Sequence, residues 1–242
     1  MAHNLEAPGT DEAPEYESLY RARGDEVVAQ RPIFTGDVFF GVVVQGEEQP
    51  KNIIVLQHPC VIRKGVELTP KLLVAEVGPA ALLPPSQWVE KFFRQLPLVE
   101  LVPGEKPKHF AAFFDRHHLI KRKDLELDHR VTTMSQQGVN LLMQRWVHHN
   151  SRMIVPTQEY QKVTSAQYEE ADIIEEWCTD RGDDGVSLDD ATVEIDTWLT
   201  GDKTPSSPRA RLEDFQRRSA VRREARAHLR ALRSLLRRST LR

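Results

Sequence analysis

Cysteine is scarce in this chain of 242 residues, which holds Cys60 and Cys178 and no other. Two thiols so far apart in sequence make neither a disulfide framework nor a CxxC zinc site, and they fit a reducing compartment. Long apolar runs are also missing, because no segment approaches the ~20 residues that cross a bilayer. Residues 1–9 lack the basic and apolar regions of a signal peptide. These absences predict a cytoplasmic protein without a membrane span.

Lysine is absent from residues 208–242, and arginine replaces it. This segment holds 12 arginines and three acids, a formal charge of +9, so residues 1–207 carry −12 of the formal total of −3. The nearly neutral total therefore hides two parts of opposite sign. Such a separation favours a basic arm that binds a polyanion or an acidic surface.

The spacing of apolar residues predicts that this arm is an amphipathic helix. Ser207 can cap it, Pro208 suits its first position, and apolar residues recur at every third or fourth place from Val221 to Leu236. Arginine favours phosphate because its planar fork is bidentate and always charged. The arginines expected to contact nucleic acid are Arg217, Arg218, Arg222, Arg223, Arg226, Arg230, Arg233 and Arg237.

Three targets are open to the arm. The first is nucleic acid, RNA or DNA, and the lack of aromatic residues after Phe215 predicts contacts with phosphates rather than stacked bases. The second is protein: the leucines dock on the acidic body of the chain itself or on an acidic partner, and the arginines form a solvated rim. The third and least favoured is a membrane surface.

Short β-branched and aromatic runs predict a small, strongly bent barrel within residues 31–150. Runs at such intervals fit a barrel better than a parallel βαβ sheet. Residues 1–30, rich in Glu, Asp, Ala and Pro, are typical of a flexible acidic leader. Residues 86–96 are predicted to be a short helix with Phe92 and Phe93 on its inner side. The predicted strands are residues 38–44, 52–57, 71–77, 110–114 and 124–128.

Beyond Ser135 the apolar period changes to 3.6 and predicts helices. The third of them has a capping-box pattern in which Asp190 takes the place of the usual Glu. The fold class is therefore α+β: a small, strongly bent barrel, a helical C-terminal region and a basic terminal helix. The predicted helix starts are Ser135, Ser165 and Ser187. The predicted regions after the barrel are an acidic helical region at 151–199, a linker at 200–207 and the arginine-rich helix at 208–242.

Four motifs occur in a fixed order over residues 33–150. They are Gly36-Asp37-Val38-Phe39-Phe40, Ile53-Ile-Val-Leu-Gln57, Leu72-Leu-Val-Ala-Glu-Val77-Gly78, and Leu125 to Thr133 ahead of a helix. Their order resembles that of the MazF/PemK family, small SH3-like barrels best known as toxin ribonucleases. The resemblance implies an SH3-like barrel, RNA as the substrate class and a toxin–antitoxin setting.

The catalytic positions of that family are not matched. The resemblance implies an arginine before the second strand and a Thr or Ser after the third, which hold the phosphate and polarise the attacking 2′-hydroxyl. Here Pro50-Lys51-Asn52 stands at the first position and Gly78-Pro79 at the second. Lys51 supplies a charge but not the bidentate fork of arginine. We therefore expect a scaffold whose active site is lost or altered.

Reactive side chains gather in the segment from His58 to Lys64. His58 could serve as a general base and Cys60 as a nucleophile, while Arg63 and Lys64 could clamp a phosphate. The alternative is structural, with Cys60 filling the core and the two cations in solvent. Together with His117, His58 and Arg63 are the candidate catalytic residues of a non-standard endoribonuclease.

Histidines occur in two adjacent pairs, His117-His118 and His148-His149. Neighbouring residues on a strand or helix point apart, so at most one member of each pair faces a common site. No HxxxH or CxxC spacing accompanies them, and we expect neither a metal nor a cofactor.

The leading hypothesis is a cytoplasmic nucleic-acid-associated protein on a MazF-like scaffold with a lost or altered active site. One alternative is an active endoribonuclease with a non-standard site. The other is a protein-interaction module whose basic helix binds an acidic partner. The expected partners are RNA or DNA, an acidic protein, and a second copy of the chain in a homodimer.

Overall fold

A computed structural model describes the backbone of residues 4–104, 106–201 and 206–239, and the side chains of these ranges up to residue 234. The chain forms two compact units. The first, here called the barrel unit, comprises Met1–Ala29, Ile33–Lys64 and Leu68–Ser165. The second, the helical unit, comprises Gln30–Pro32, Gly65–Glu67 and Ala166–Arg242. The α+β class predicted from the sequence is confirmed.

Antiparallel strands build the barrel unit. The strands of the chain are β1 Tyr20–Arg23, β2 Val38–Val42, β3 Lys51–Val55, β4 Arg63–Lys64, β5 Glu67–Leu68, β6 Lys71–Pro79, β7 Gln95–Val102, β8 Lys108–Lys121 and β9 Arg130–Met134. Seven of them form one nearly closed barrel in the order β1-β9-β2-β3-β6-β8-β7, and β4 pairs with β5 in a separate hairpin.

Side chains of β1 close the gap between the two outer strands of the barrel, β1 and β7. The Tyr20 hydroxyl donates to the Val99 carbonyl at 2.8 Å, and the Arg23 guanidinium donates to the Glu100 carbonyl at 2.8 Å. These bonds satisfy backbone acceptors that would otherwise be unpaired at a sheet edge.

The Gly-Asp motif at the start of β2 has a structural explanation. Gly36 has a φ of +88°, and a Cβ at this position would lie 2.9 Å from the Met134 side chain, so both conformation and space require glycine. Asp37 is buried, accepts the Phe34 amide at 3.0 Å and pairs with Arg130 at 2.9 Å. The motif therefore anchors the turn that leads into β2.

The helices follow from local capping signals. They are α1 Pro85–Glu90, α2 Gln136–Ser151, α3 Thr157–Asp183, α4 Leu188–Thr200, α5 Pro208–Leu212 and α6 Arg218–Ser239. Ser135, Ser187 and Ser207 each accept a backbone N–H of the first helical turn through the side-chain oxygen. The predicted starts at these three serines are confirmed, whereas the helix predicted from Ser165 begins earlier, at Thr157.

One apolar cluster holds the helical unit together. It joins Trp177 of α3, Ile195 of α4, Leu212 of α5 and the residues Val221 and Leu229 of α6. All five side chains are at most 4% exposed. The arginine-rich segment is thus part of the core of this unit, and it is broken into α5, a 3₁₀ turn at Phe215–Arg217 and α6 rather than forming one helix.

The N-terminal segment differs from the predicted flexible leader. Leu5 and Leu19 are buried, and β1 pairs with β9. The Glu6 carboxylate accepts the Thr157 amide at 2.8 Å, so it caps α3. These long-range contacts order residues whose composition alone is typical of disorder.

One predicted strand and the end of one predicted helix were wrong, and five strands were missed. Residues 124–128 form no strand, because they lie in and between two 3₁₀ turns, Arg122–Asp124 and Leu127–His129. The predicted helix at 86–96 ends at Glu90, and β7 follows it. The strands that were not predicted are β1, β4, β5, β7 and β9; β8 is longer than expected, with 14 residues. Barrel pairing, which is non-local, overrides the local pattern here.

Candidate nucleic-acid interface

The arginines of α6 that were predicted to bind nucleic acid lie against acidic residues of their own unit. Arg222, Arg226 and Arg233 each pair with carboxylates of α3, so their charges are offset within the fold. The pairs include Arg222–Glu169 at 2.8 Å, Arg222–Asp172 at 3.5 Å, Arg226–Glu176 at 2.5 Å and Arg233–Asp180 at 3.4 Å.

The other predicted arginines have different surroundings. Arg217 and Arg218 contact residues of the preceding turn. Arg223 and Arg230 are exposed and form no ion pair with any side chain that the structure describes. The side chain of Arg237 lies outside the described residues. The apolar face of α6 therefore docks on the chain itself, as in the second of the three alternatives for the arm. Few of the predicted arginines remain available to a ligand.

The three candidate catalytic residues take part in three separate sets of contacts. His58 accepts a hydrogen bond at 3.2 Å from the backbone two residues further along the chain. Arg63 donates to a backbone carbonyl ahead of β2. His117 is exposed on β8 and faces the Trp146 ring at a centroid distance of 5.9 Å. Lys64, the other predicted phosphate contact, is exposed on β4.

Lys51 stands at the position where the resemblance implies a catalytic arginine. Its ammonium lies 3.0 Å from Glu47 and 3.3 Å from Glu76. His118 Nε2 lies 3.0 Å from the same Glu76 oxygen. Although Glu47, Glu76 and His118 are close enough to hold a metal ion, the Lys51 ammonium already pairs with both carboxylates and offsets one of their two charges. The two carboxylates also oppose a phosphate at this place.

A cleft of about 700 Å³ opens in the barrel unit between the segment that follows α1 and the C-terminal end of α2. No acidic residue occurs among the described residues that line it. The lining residues are Phe92, Phe93, Arg94, Gln95, His148 and Arg152. Cations beside aromatic rings are the combination with which proteins hold the backbone and bases of a single strand.

The aromatic wall of the cleft contains a strained residue. Phe92 has a φ of +56°, in the left-handed region that a bulky side chain rarely adopts, and 42% of its surface is exposed. The Phe93 ring lies 5.4 Å from that of His148 and meets it edge to face. An exposed aromatic ring held in an unfavourable backbone conformation is a feature that collects at ligand sites.

The basic wall of the cleft comes from one face of α2. Arg145, His148, His149 and Arg152 are spaced i, i+3, i+4 and i+7, so they lie along the same side of the helix end. Arg152, the C-cap residue, is itself left-handed, with a φ of +61°. Arg94 lies on the opposite wall of the cleft. Its backbone carbonyl accepts a hydrogen bond from the backbone N–H of Phe114.

The arginines in and behind the cleft form no ion pairs with described acidic side chains. Arg94 and Arg152 form no ion pair with a described side chain. Arg145 is fully buried, and its guanidinium donates to the carbonyls of Trp88 and Gln95; burial lowers its pKa to about 10. A buried cation without an acidic partner is costly and favours an anion nearby.

The pKa of His149 is lowered by the same positive charges. Burial lowers the pKa of this imidazole, and the charges of Arg152, Arg94 and His117 lower it further, against an opposing effect of Asp115. Its ring stacks on Trp146 at 6.0 Å. The environment therefore disfavours an additional proton on His149 while no anion is bound.

The basic wall of the cleft could have been predicted from the sequence. Its four basic residues recur with the period of a helix, which is visible in the sequence alone. They were treated instead as adjacent histidine pairs. Phe92 and Phe93 were assigned to the inner side of a helix that in fact ends at Glu90, so the aromatic wall could not be anticipated.

None of the described helices combines the length and the apolarity that a bilayer span requires. Comparison with known proteins found no matching family model and no matching curated protein. The resemblance to the MazF/PemK family thus stays a prediction from motif order.

Proposed function

We propose that this protein binds single-stranded nucleic acid, with RNA as the preferred form, on a MazF-like scaffold in the cytoplasm. The observation that carries the proposal is the cleft of the barrel unit, in which Arg94 and Arg152 stand beside Phe92 and Phe93 with no acid in the lining. Arginines supply bidentate contacts to phosphate, and the exposed ring supplies a stacking surface for a base.

The proposed binding surface is the cleft of the barrel unit rather than the C-terminal arm. The arm has no aromatic residue after Phe215, and the arginines of α6 that pair with α3 would have to leave carboxylates before they met a phosphate. The cleft arginines have no such competitor among the described side chains. Electrostatic attraction of a polyanion is therefore greater at the cleft.

The same scaffold is proposed to have lost the ribonuclease reaction of the family. Gly78 and Pro79 provide no hydroxyl, and Lys51 is held between Glu47 and Glu76. Transition-state stabilisation needs a cation that is directed at the phosphate, and this one is directed at carboxylates.

Fluorescence anisotropy with a labelled mixed-sequence single strand tests the binding surface. The cleft variant Arg94→Gln/Arg152→Gly removes two charges, and glycine suits the left-handed position of Arg152. Each lost charged hydrogen bond is worth about 1.5–3 kcal/mol, so we expect the affinity to fall at least tenfold. The matched control Arg223→Gln/Arg230→Gln removes two exposed arginines of α6 and should change the affinity less than twofold.

The outcomes separate the two surfaces. Loss of binding in the control alone would return the function to the arm. Absence of binding by the unmodified protein at low salt would overturn the proposal itself. RNA recovered from the same samples should run intact on a denaturing gel, and discrete products that disappear in a His58→Ala or Arg63→Ala variant would establish the endoribonuclease alternative instead.

A further inference from the structure

The cleft has the size of a small-molecule site rather than of a groove that follows a strand. At about 700 Å³ it falls within the range of small-molecule sites, roughly 300–1,000 Å³. Its lining of six residues spans the segment after α1 and the end of α2. A groove that follows several phosphates would need charges spread along a longer path. The occupant therefore fits as a single base with its phosphate.

The charge in the cleft exceeds the need of one phosphodiester. Two arginines line it, a formal charge of +2, and Arg145 lies behind it, bonded to the carbonyl of Gln95, itself a lining residue. An internal phosphodiester carries a single negative charge. A phosphomonoester carries about −1.5 to −2 at pH 7 and offers three strong acceptor oxygens. The charge of the two arginines is better matched by the monoester.

The aromatic wall of the cleft indicates which chemical group accompanies the phosphate. Phe92, Phe93 and Arg94 all line the cleft, so aromatic rings and a guanidinium are available to the same ligand. An inorganic phosphate would leave the exposed Phe92 ring without a partner. A nucleotide would place its base on the ring and its phosphate on the arginines.

We propose that the cleft recognises a phosphomonoester attached to a nucleoside, as found at the phosphorylated end of a nucleic-acid strand or in a free nucleoside monophosphate. This inference rests on the proposed nucleic-acid function and names the part of the nucleic acid that the cleft binds. The terminal phosphate lies between Arg94 and Arg152, and the terminal base stacks on Phe92. The rest of the strand leaves the cleft.

Three oligonucleotides of one sequence test the inference: one with a 5′-phosphate, one with a 3′-phosphate and one with hydroxyls at both ends. Anisotropy should show at least a tenfold preference for one phosphorylated end, since each charged hydrogen bond gained is worth about 1.5–3 kcal/mol. Arg94→Gln should reduce this preference to less than threefold, because it should lower the affinity for the phosphorylated strand more than that for the unphosphorylated strand, whereas the control Arg223→Gln should keep the preference.

Adenosine monophosphate and adenosine, used as competitors, separate the two sources of the monoester. Competition by the monophosphate but not by the nucleoside supports the site. If the monophosphate binds while no strand binds, the ligand is a free nucleotide, and the proposed nucleic-acid function fails although the site stands. Equal affinity for all three strands would overturn the inference and leave the proposed function intact. Failure of the monophosphate to compete at millimolar concentration would also overturn it.

Discussion

Phe92 combines a disfavoured backbone conformation with a partly exposed ring. Its φ of +56° places an aromatic side chain where glycine is the favoured residue, and it is 42% exposed at the cleft. A left-handed conformation costs a non-glycine residue roughly 1–2 kcal/mol. Burial of the covered part of the ring offsets this cost, and the exposed part is the surface on which the proposed base would stack.

Replacing Phe92 with glycine should separate the two roles. Glycine adopts the left-handed conformation without strain, so the unfolding free energy should stay within about 1 kcal/mol of the original. Base stacking is worth roughly 1–3 kcal/mol, so affinity for a single strand should fall about fivefold or more. Urea unfolding and anisotropy measure the two quantities.

The chain offers a matched control for that substitution in Phe215, which is 80% exposed in the turn between α5 and α6. Phe215→Gly should leave nucleic-acid affinity unchanged, because the arm arginines nearby are not the proposed contact. Equal affinity of the original protein and Phe92→Gly would remove the ring from the binding site.

At the scale of single elements, α6 acts as a structural helix. Its apolar face completes the cluster of the helical unit, and Arg222, Arg226 and Arg233 pair with α3. Ion pairs at such partly exposed positions contribute little individually. Burial of Val221, Ala225 and Leu229 therefore supplies most of the energy that holds the helix in place.

A substitution at Leu229 tests this account of α6. Leu229→Ser creates a cavity and buries a hydroxyl, and should lower the unfolding free energy of the helical unit by about 3–5 kcal/mol. The exposed neighbour Ala227 is the control, because Ala227→Ser should cost only about 0.5 kcal/mol of helix propensity. Urea unfolding followed by far-ultraviolet circular dichroism measures both. Similar stability of the two variants would mean that α6 is not docked in solution.

The elements also show what the sequence could predict. The helix starts at Ser135, Ser187 and Ser207 were predicted correctly because a cap depends on residues three places away. β1 and β9 were missed because each is defined by its pairing partner more than 100 residues away in sequence. The basic stripe of α2 was readable, but the opposite wall of the cleft depends on where α1 ends.

At the scale of the whole chain, opposite charges that are separate in sequence are brought together. Residues 166–200 hold 12 acids and one arginine, and the arginine-rich segment that packs with them in the helical unit carries +9. Most of the charge asymmetry is thus cancelled inside one unit. The proposed attraction of a polyanion therefore rests on a local cluster rather than on the net charge of an arm.

Binding and stability should respond to pH in opposite directions. The pKa values of His149 and His58 are both lowered from the ordinary 6.5, that of His58 by burial. The unfolded chain therefore binds more protons than the folded chain once the pH falls below about 7. The unfolding free energy should decrease between pH 7 and pH 5.

Affinity for the strand without a terminal phosphate should rise as the pH falls from 7.5 to 6.0, since its phosphodiesters do not titrate in this range, whereas a monoester takes up a proton near pH ~6. An anion in the cleft offsets the charges of Arg94 and Arg152, which help to keep His149 neutral, while Asp115 and His117 stay in place. The bound anion therefore raises the pKa of His149, and binding takes up protons. Anisotropy across this range should give a slope that is reduced in His149→Gln. The control His129→Gln, at an exposed turn, should keep the original slope. A slope that is unchanged in His149→Gln would show that the anion does not lie within reach of this imidazole.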